Sequence, residues 1–479
     1  MISVALAAAY SIMRSQGTAL LLQSNAGLRS SARQAAMTGM ALARRKMHTL
    51  QWAGVDTTLT GVLGGNNSYR VSFATGDPSL VPGHPDYEDY SFRVTVDVTG
   101  SSQDPVNPSR IARHRIRAVF RLIPRALADE PAGWDTLSGY TLCQLGPDQF
   151  EVDVPCRIEG PVRIQAGLRF AEDLDWPSEC RERYLTDLNN MRFSGAADWR
   201  PFTGPLELPF ADQPGGLISL LSSSMAITTS DAPPDSFSLS PVGYLGDYQL
   251  YPGGKVYSVQ SVGATLANQT IEPDPATNPL GIFVHEGKVD VYDNVSFKGT
   301  LIVLGNSDGD LQLRGTFIQF TSVDLPPVEG SDEPVRLPLV ILEDDFCIQT
   351  DSQGKLDGLL VAAHEFEVCR DDPGDIYVPI QGRAIAGKIL IRRREGWRQS
   401  KGWWEDQYQA FLAQENDGIP YFPLWLAVAS GLDPKPEVGI SPEPDPVRYH
   451  WRNANNPVYV PHPDDEGLRW DLLEWSENP

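Results

Sequence analysis

The sequence predicts a mainly β protein fronted by one long N-terminal α-helix, and three observations carry that prediction. The first fifty residues hold eleven alanines and no proline, the first proline being Pro78. Period-two alternation follows, as in Tyr90-Ser-Phe-Arg-Val-Thr-Val-Asp-Val. From about residue 140, short apolar runs recur between Gly, Asp and Asn, and glycine (42) and proline (39) together make up about a sixth of the 479 residues. Alanine-rich sequence without breakers permits a helix. Alternation marks half-buried strands, and dense Gly and Pro mark many turns.

The helix is placed over 1–50, with breaks possible near Gly17 or Gly27. Residues 1–55 carry Arg14, Arg29, Arg33, Arg44, Arg45 and Lys46 and no acid. The whole chain has a net charge of −23, so this segment is the basic part of an acidic protein. Such an acidic body excludes nucleic acid and anionic membrane surfaces as general partners. Met1–Met13 is apolar apart from Ser3, Ser11 and the Tyr10 hydroxyl. Thirteen residues are too few to span a bilayer, which needs about 20. The reading therefore expects roughly 8–15 further apolar residues upstream of Met1.

Residues 51–135 read as a small antiparallel sheet. Ser68–Phe73, Tyr90–Val98 and Arg110–Leu122 alternate, with turns such as Gly76-Asp-Pro-Ser between them. A long helix followed by such a meander resembles type IV pilins and pseudopilins. The local match is Ser31-Ala-Arg-Gln-Ala-Ala-Met-Thr-Gly-Met-Ala-Leu-Ala, which looks like the Arg-x-x-Ala-x-x-Ala-Gly helix of minor pilins of the pilus-assembly type. No Gly-Phe-Thr-Leu-x-Glu prepilin site precedes the helix. The resemblance implies a pilin-like α+β region, assembly with other pilin-like subunits or envelope proteins through the helix, and a place at the cell envelope or extracellular surface, anchored by that helix.

Residues 140–400 read as a parallel β-helix (solenoid), with a β-sandwich as the alternative and an irregular insertion over 175–280. Comparable strand starts fall at Gly281, Gly299, Leu339, Gly358 and Gly382, with gaps of 18, 40, 19 and 24, the 40 being taken as two turns. A period near 18–24 suits rungs that bury their apolar faces by stacking. Leu301, Val303, Leu313, Phe317, Leu339, Ile341, Leu360 and Ile389 are the expected core. A three-turn helix is expected over 181–191. A short helical segment is placed at 401–432 and a Pro/Trp-rich tail at 433–479, whose Trp451, Trp470 and Trp475 are expected to dock on the body or a partner.

Little of the sequence carries chemistry. Cys143, Cys156, Cys180, Cys347 and Cys369 form no Cys-x-x-Cys, and buried thiols are the simplest reading, although Cys347 and Cys369 lie about one rung apart. Pro461-His-Pro-Asp-Asp-Glu resembles the motif of zinc-dependent sugar deacetylases, in which His462 and Asp465 would bind zinc and Asp464 would act as base. Tail chemistry explains it better, because the rest of that fold has no place in the 13 residues after Glu466. On stacked rungs Asp344, Asp345, His364, Asp371 and Asp372 would line up, which gives a catalytic alternative by general acid/base hydrolysis of polysaccharide. Asp308 and Asp310 are weak Ca²⁺ candidates. No phosphate loop, nucleophile elbow or dinucleotide fingerprint is present, so no cofactor is expected.

The expectation is a non-catalytic surface protein displaying a β-helical interaction domain, with surface polysaccharide among its possible partners. The alternative is a carbohydrate-active β-helix enzyme.

Overall fold

The structure, a computed structural model, describes residues 2–148, 150–152, 156–165, 168–170, 206–208, 227–229, 239–305, 309–349, 352–370, 378–393, 438–453, 456, 458–459, 461 and 466–478. It is mainly β, with one long N-terminal helix and a large curled parallel sheet.

Helix α1 spans Ile2–Met47 without a break at Gly17 or Gly27. Its 46 residues extend about 69 Å. From residue 32 onward it lies on an antiparallel meander of β1 (Thr58–Leu63), β2 (Asn67–Thr75), β3 (Arg93–Gln103) and β4 (Ile111–Pro124). The buried face is made of small residues, Ala32, Ala35, Ala36 and Ala43, with Met40 and Met47. Small side chains let the backbones approach. A Cβ on Gly100 of β3 would sit 2.1 Å from the Ala32 carbonyl oxygen, so only glycine fits there. From residue 9 to residue 30 the helix is exposed, apart from half-buried Gly17 and Leu28.

The fifth strand of this sheet comes from the far end of the chain. Leu468–Asn478 pairs antiparallel with β4, Trp470 lying opposite Leu122. Trp451 and Trp470 are buried, whereas Trp475 is 39% exposed. The tail is thus built into the body at both tryptophans.

The strands of the second sheet pair in parallel, which is not the antiparallel arrangement of a sandwich. They stack in three columns. The first runs through Phe283, Leu301, Val340, Leu360, Ala384, Leu142, Val162 and Leu206. The second runs through Val289, Leu311, Phe346, Phe366 and Ile389, and the third through Phe297, Phe320, Leu356, Ile380, Ile440 and Ile158. The stack order is not the chain order: Leu142–Gln144 lies between Ala384–Ala386 and Val162–Ile164. Gln260–Ser261, Thr265–Leu266 and Gln269–Ile271, within the expected insertion, also belong to this sheet.

Register explains the spacing. Gly281, Gly299, Gly358 and Gly382 stack at one corner, with Pro338 in the equivalent place. Gly299, Gly358 and Gly382 have φ between 148° and 152°, and a Cβ on Gly382 would lie 2.1 Å from the Gly358 carbonyl oxygen. Leu301 pairs directly with Val340, so the gap of 40 is one turn and not two. Its surplus forms the excursion that carries the pair Asp324–Leu325 and Val335–Arg336.

The inward residues form one elongated core, including Leu301, Val303, Leu313, Leu339, Leu360 and Ile389. Two expected members differ. Ile341 is buried on the outer face of the first column, with Ile302, Val361 and Ile385, in a second cluster shared with the helix–sheet unit and with Tyr244, Tyr248 and Trp451. That column is therefore apolar on both faces, as parallel strands covered on both sides are. Phe317 is 74% exposed in a turn at φ 58°. The expected helix at 181–191, the segment 401–432, and the side chains of Cys156, Cys180 and Cys369 lie outside the described residues.

Candidate functional site

The second column carries a line of charge at its entry corner. The residue just before each inward pair is Lys288, Asp310, Asp345, Glu365 or Lys388 on successive turns, because Val289, Leu311, Phe346, Phe366 and Ile389 are in register. Parallel stacking puts like positions one strand spacing apart, about 4.8 Å. Three carboxylates in a row would repel, and cations cap the row. Lys388 Nζ lies 2.9 Å from Glu365, and His364 leans back across the turn.

His364 Nδ1 is 2.8 Å from an Asp345 carboxylate oxygen and 3.3 Å from Asp344. The Glu365 amide donates to the same Asp345 carboxylate at 3.0 Å. Side-chain exposure falls from 61% for His364 through 32% for Asp345 to 13% for Asp344. Burial pushes the Asp345 carboxyl up; the His364 hydrogen bond opposes this, and the Asp344 charge adds to it. Burial also raises Asp310, helped by Asp344. For His364, burial pulls the imidazole down, but its hydrogen bond to Asp345 and the surrounding carboxylates outweigh that and hold it above its ordinary value.

Of the residues predicted for chemistry, the structure thus brings Asp344, Asp345 and His364 together, their ligand atoms all within 4.8 Å of one another. Asp310 stands on the neighbouring turn. Asp308, Asp371, Asp372, His462, Asp464 and Asp465 lie outside the described residues. Two carboxylates and an imidazole can hold a divalent cation or pass a proton. Here an incoming ion would have to break the His364–Asp345 hydrogen bond, so the arrangement already does a structural job by offsetting the stacked negative charge. Lys288, Glu365 and Lys388 were not singled out from sequence. The signal was the charged residue standing before each short apolar triad, as in Lys-Val-Asp-Val, Asp-Leu-Gln-Leu, Asp-Phe-Cys-Ile and Lys-Ile-Leu-Ile.

Cys347 pairs across the ladder with Glu367, not with Cys369. Among the described residues no helix is long and apolar enough to cross a membrane.

No protein-family model and no curated protein matches the chain. Solved structures similar to it at low level include the following two. A DUF3494 domain of an ice-binding protein from Shewanella frigidimarina is 11% identical, covers 56% of this chain and 97% of its own, and has a TM-score of 0.25. The competence-associated pilin ComZ from Thermus thermophilus is 10% identical, covers 94% of this chain and 98% of its own, and also has a TM-score of 0.25.

Proposed function

We propose that this protein is a surface-display subunit. The N-terminal half of α1 packs with other copies at the cell envelope, and the three-column sheet is a β-solenoid held outward for interaction. The observation that carries this is the unpartnered helix half. Leu6, Tyr10, Ile12, Met13, Leu20, Leu21 and Leu22 are each more than half exposed, and they point around the whole circumference. Exposed apolar side chains on several sides, rather than along one stripe, give this half no single face to lay on its own sheet and suit contact with several neighbours. The three columns of parallel pairs and the single elongated interior core support the solenoid.

The test is sedimentation velocity on the full chain over a wide concentration range. Wild type should self-associate, and a Leu21→Glu/Leu22→Glu variant should stay monomeric with an unchanged thermal transition. Wild type that is monomeric throughout would remove the assembly role. The enzymatic alternative draws on the Asp345–His364 pair; polysaccharide hydrolysis that disappears in Asp345→Asn would favour it.

A further inference from the structure

A cleft of about 610 Å³ lies where the helix–sheet unit meets the parallel sheet. One wall is the connection between β2 and β3, and the other is the loop that leads into the strand Ile282–Glu286. Two ties hold the walls in place: Lys298 Nζ to Glu88 at 2.7 Å, and the Ser91 hydroxyl donating to the Pro275 carbonyl. A preformed cleft of this size between two units is the usual setting of a ligand site.

Its chemistry is lopsided. Pro82, Pro85, Pro273, Pro275 and Pro279 line it and offer carbonyls but no N–H. Glu88, Glu272, Asp274 and Asp324 add carboxylates against the single ammonium of Lys298. Three of these acids are engaged: Glu88 by Lys298, Asp324 by Arg336, and Asp274 by the Ala276 amide and the Thr277 hydroxyl. Among the described residues Glu272 makes no hydrogen bond or ion pair. His84 accepts the Asp86 amide at Nδ1, 3.1 Å away, which leaves Nε2–H as a donor. Tyr87 and the proline rings supply flat apolar surface.

A wall of acceptors selects a ligand rich in donors, and four carboxylates repel an anion. A peptide strand would find few amides to pair with. A pyranose ring presents hydroxyl donors around its edge and an apolar C–H face for Tyr87 and the prolines. We propose that this cleft binds a short oligosaccharide without acidic groups, with Glu272 accepting from ring hydroxyls and His84 Nε2–H donating to one. This site is independent of helix assembly.

Saturation-transfer NMR on the full chain tests it, with N-acetylglucosamine trimer, cellotriose, trigalacturonate and trilysine as probes. At least one of the two neutral trisaccharides should receive saturation, trigalacturonate should not, and Glu272→Ala and Tyr87→Ala should each weaken binding by about tenfold. The monomeric helix variant should bind like wild type, so failure of assembly and failure of sugar binding are distinguishable. The proposal is overturned by silence from both neutral trisaccharides, by equal binding of trigalacturonate, by binding unaltered in both cleft variants, or by binding of trilysine alone.

Discussion

The indole Nε1–H of Trp470 donates to the carbonyl oxygen of Met47 at 3.1 Å, across 423 residues of sequence. Met47 is the last residue of α1, where helix carbonyls have no partner of their own. The last strand of the chain therefore caps its first helix. Trp470 is fully buried against Trp52 and Tyr251, with ring centroids 5.9 and 4.9 Å away. Trp470→Phe should keep most of the packing but strand the carbonyl, at a cost of about 1–3 kcal/mol. Trp470→Ala should cost about 3–5 kcal/mol. Chemical denaturation followed by far-ultraviolet dichroism measures both, and a Trp470→Phe variant as stable as wild type would mean that the hydrogen bond contributes nothing.

Gly100 is where α1 comes closest to the sheet. Gly100→Val should force helix and strand apart and cost about 1–3 kcal/mol or more. The thermal transition reads this directly. Gly64→Val, at a turn where a Cβ meets nothing within 4 Å, is the control and should leave the transition in place.

Leu301 and Phe317 should behave oppositely. Leu301→Ala opens the interior core and should cost about 2–5 kcal/mol. Phe317→Gly removes an exposed ring from a left-handed backbone position that bulky residues avoid, and should leave stability unchanged or raise it by up to about 1 kcal/mol. A large loss at Phe317 in an unfolding titration would contradict its exposed placement.

The charged corner should weaken as pH rises. His364 and Asp345 both titrate higher in the folded state than their ordinary values. Their contribution is complete below the unfolded pKa of each and is lost as pH climbs through the folded one. The Asp345 part therefore goes first, in the acid range, and the His364 part goes above the ordinary imidazole range near 6.5. His364→Gln should flatten the upper part of a stability–pH profile. A profile identical to wild type between pH 6 and 8 would show no coupling.

Glu477 has the opposite sign. Its hydrogen bond from Arg33 leads the effects that lower its carboxyl to about 2. What it contributes is present above its ordinary value and disappears as pH falls toward 2. Arg33→Ala should return the Glu477 titration toward the ordinary carboxylate range, as followed by carboxyl-carbon NMR.

Much of this was legible locally. Proline-free alanine sequence marked α1, alternation marked the meander, and Gly281, Gly299, Gly358 and Gly382 marked the corner of the parallel sheet. The line-up of Asp345 with His364, one turn apart, belonged only to the catalytic alternative. What was hidden is long-range. Neither the joining of Leu468–Asn478 to β4 nor the insertion of Leu142 between Ala384 and Val162 leaves a local pattern. Runs such as Leu301-Ile-Val-Leu are apolar on both faces, so they reveal burial but not which face turns inward. Phe317 misled because hydrophobicity suggested burial where the backbone makes a turn.

The seam at Leu142 sets a clock on biosynthesis. The strands of 142–170 leave the ribosome with one ladder edge bare, and their partner at Ala384 follows about 240 residues later. At 5–20 residues per second that is a wait of roughly ten to fifty seconds. The open edge of β4 waits longer still, for the final residues of the chain. Unpaired strand edges recruit other chains. An edge left bare that long is open to pairing with other chains, and deletion of Leu468–Asn478 should yield aggregates rather than a shortened soluble product.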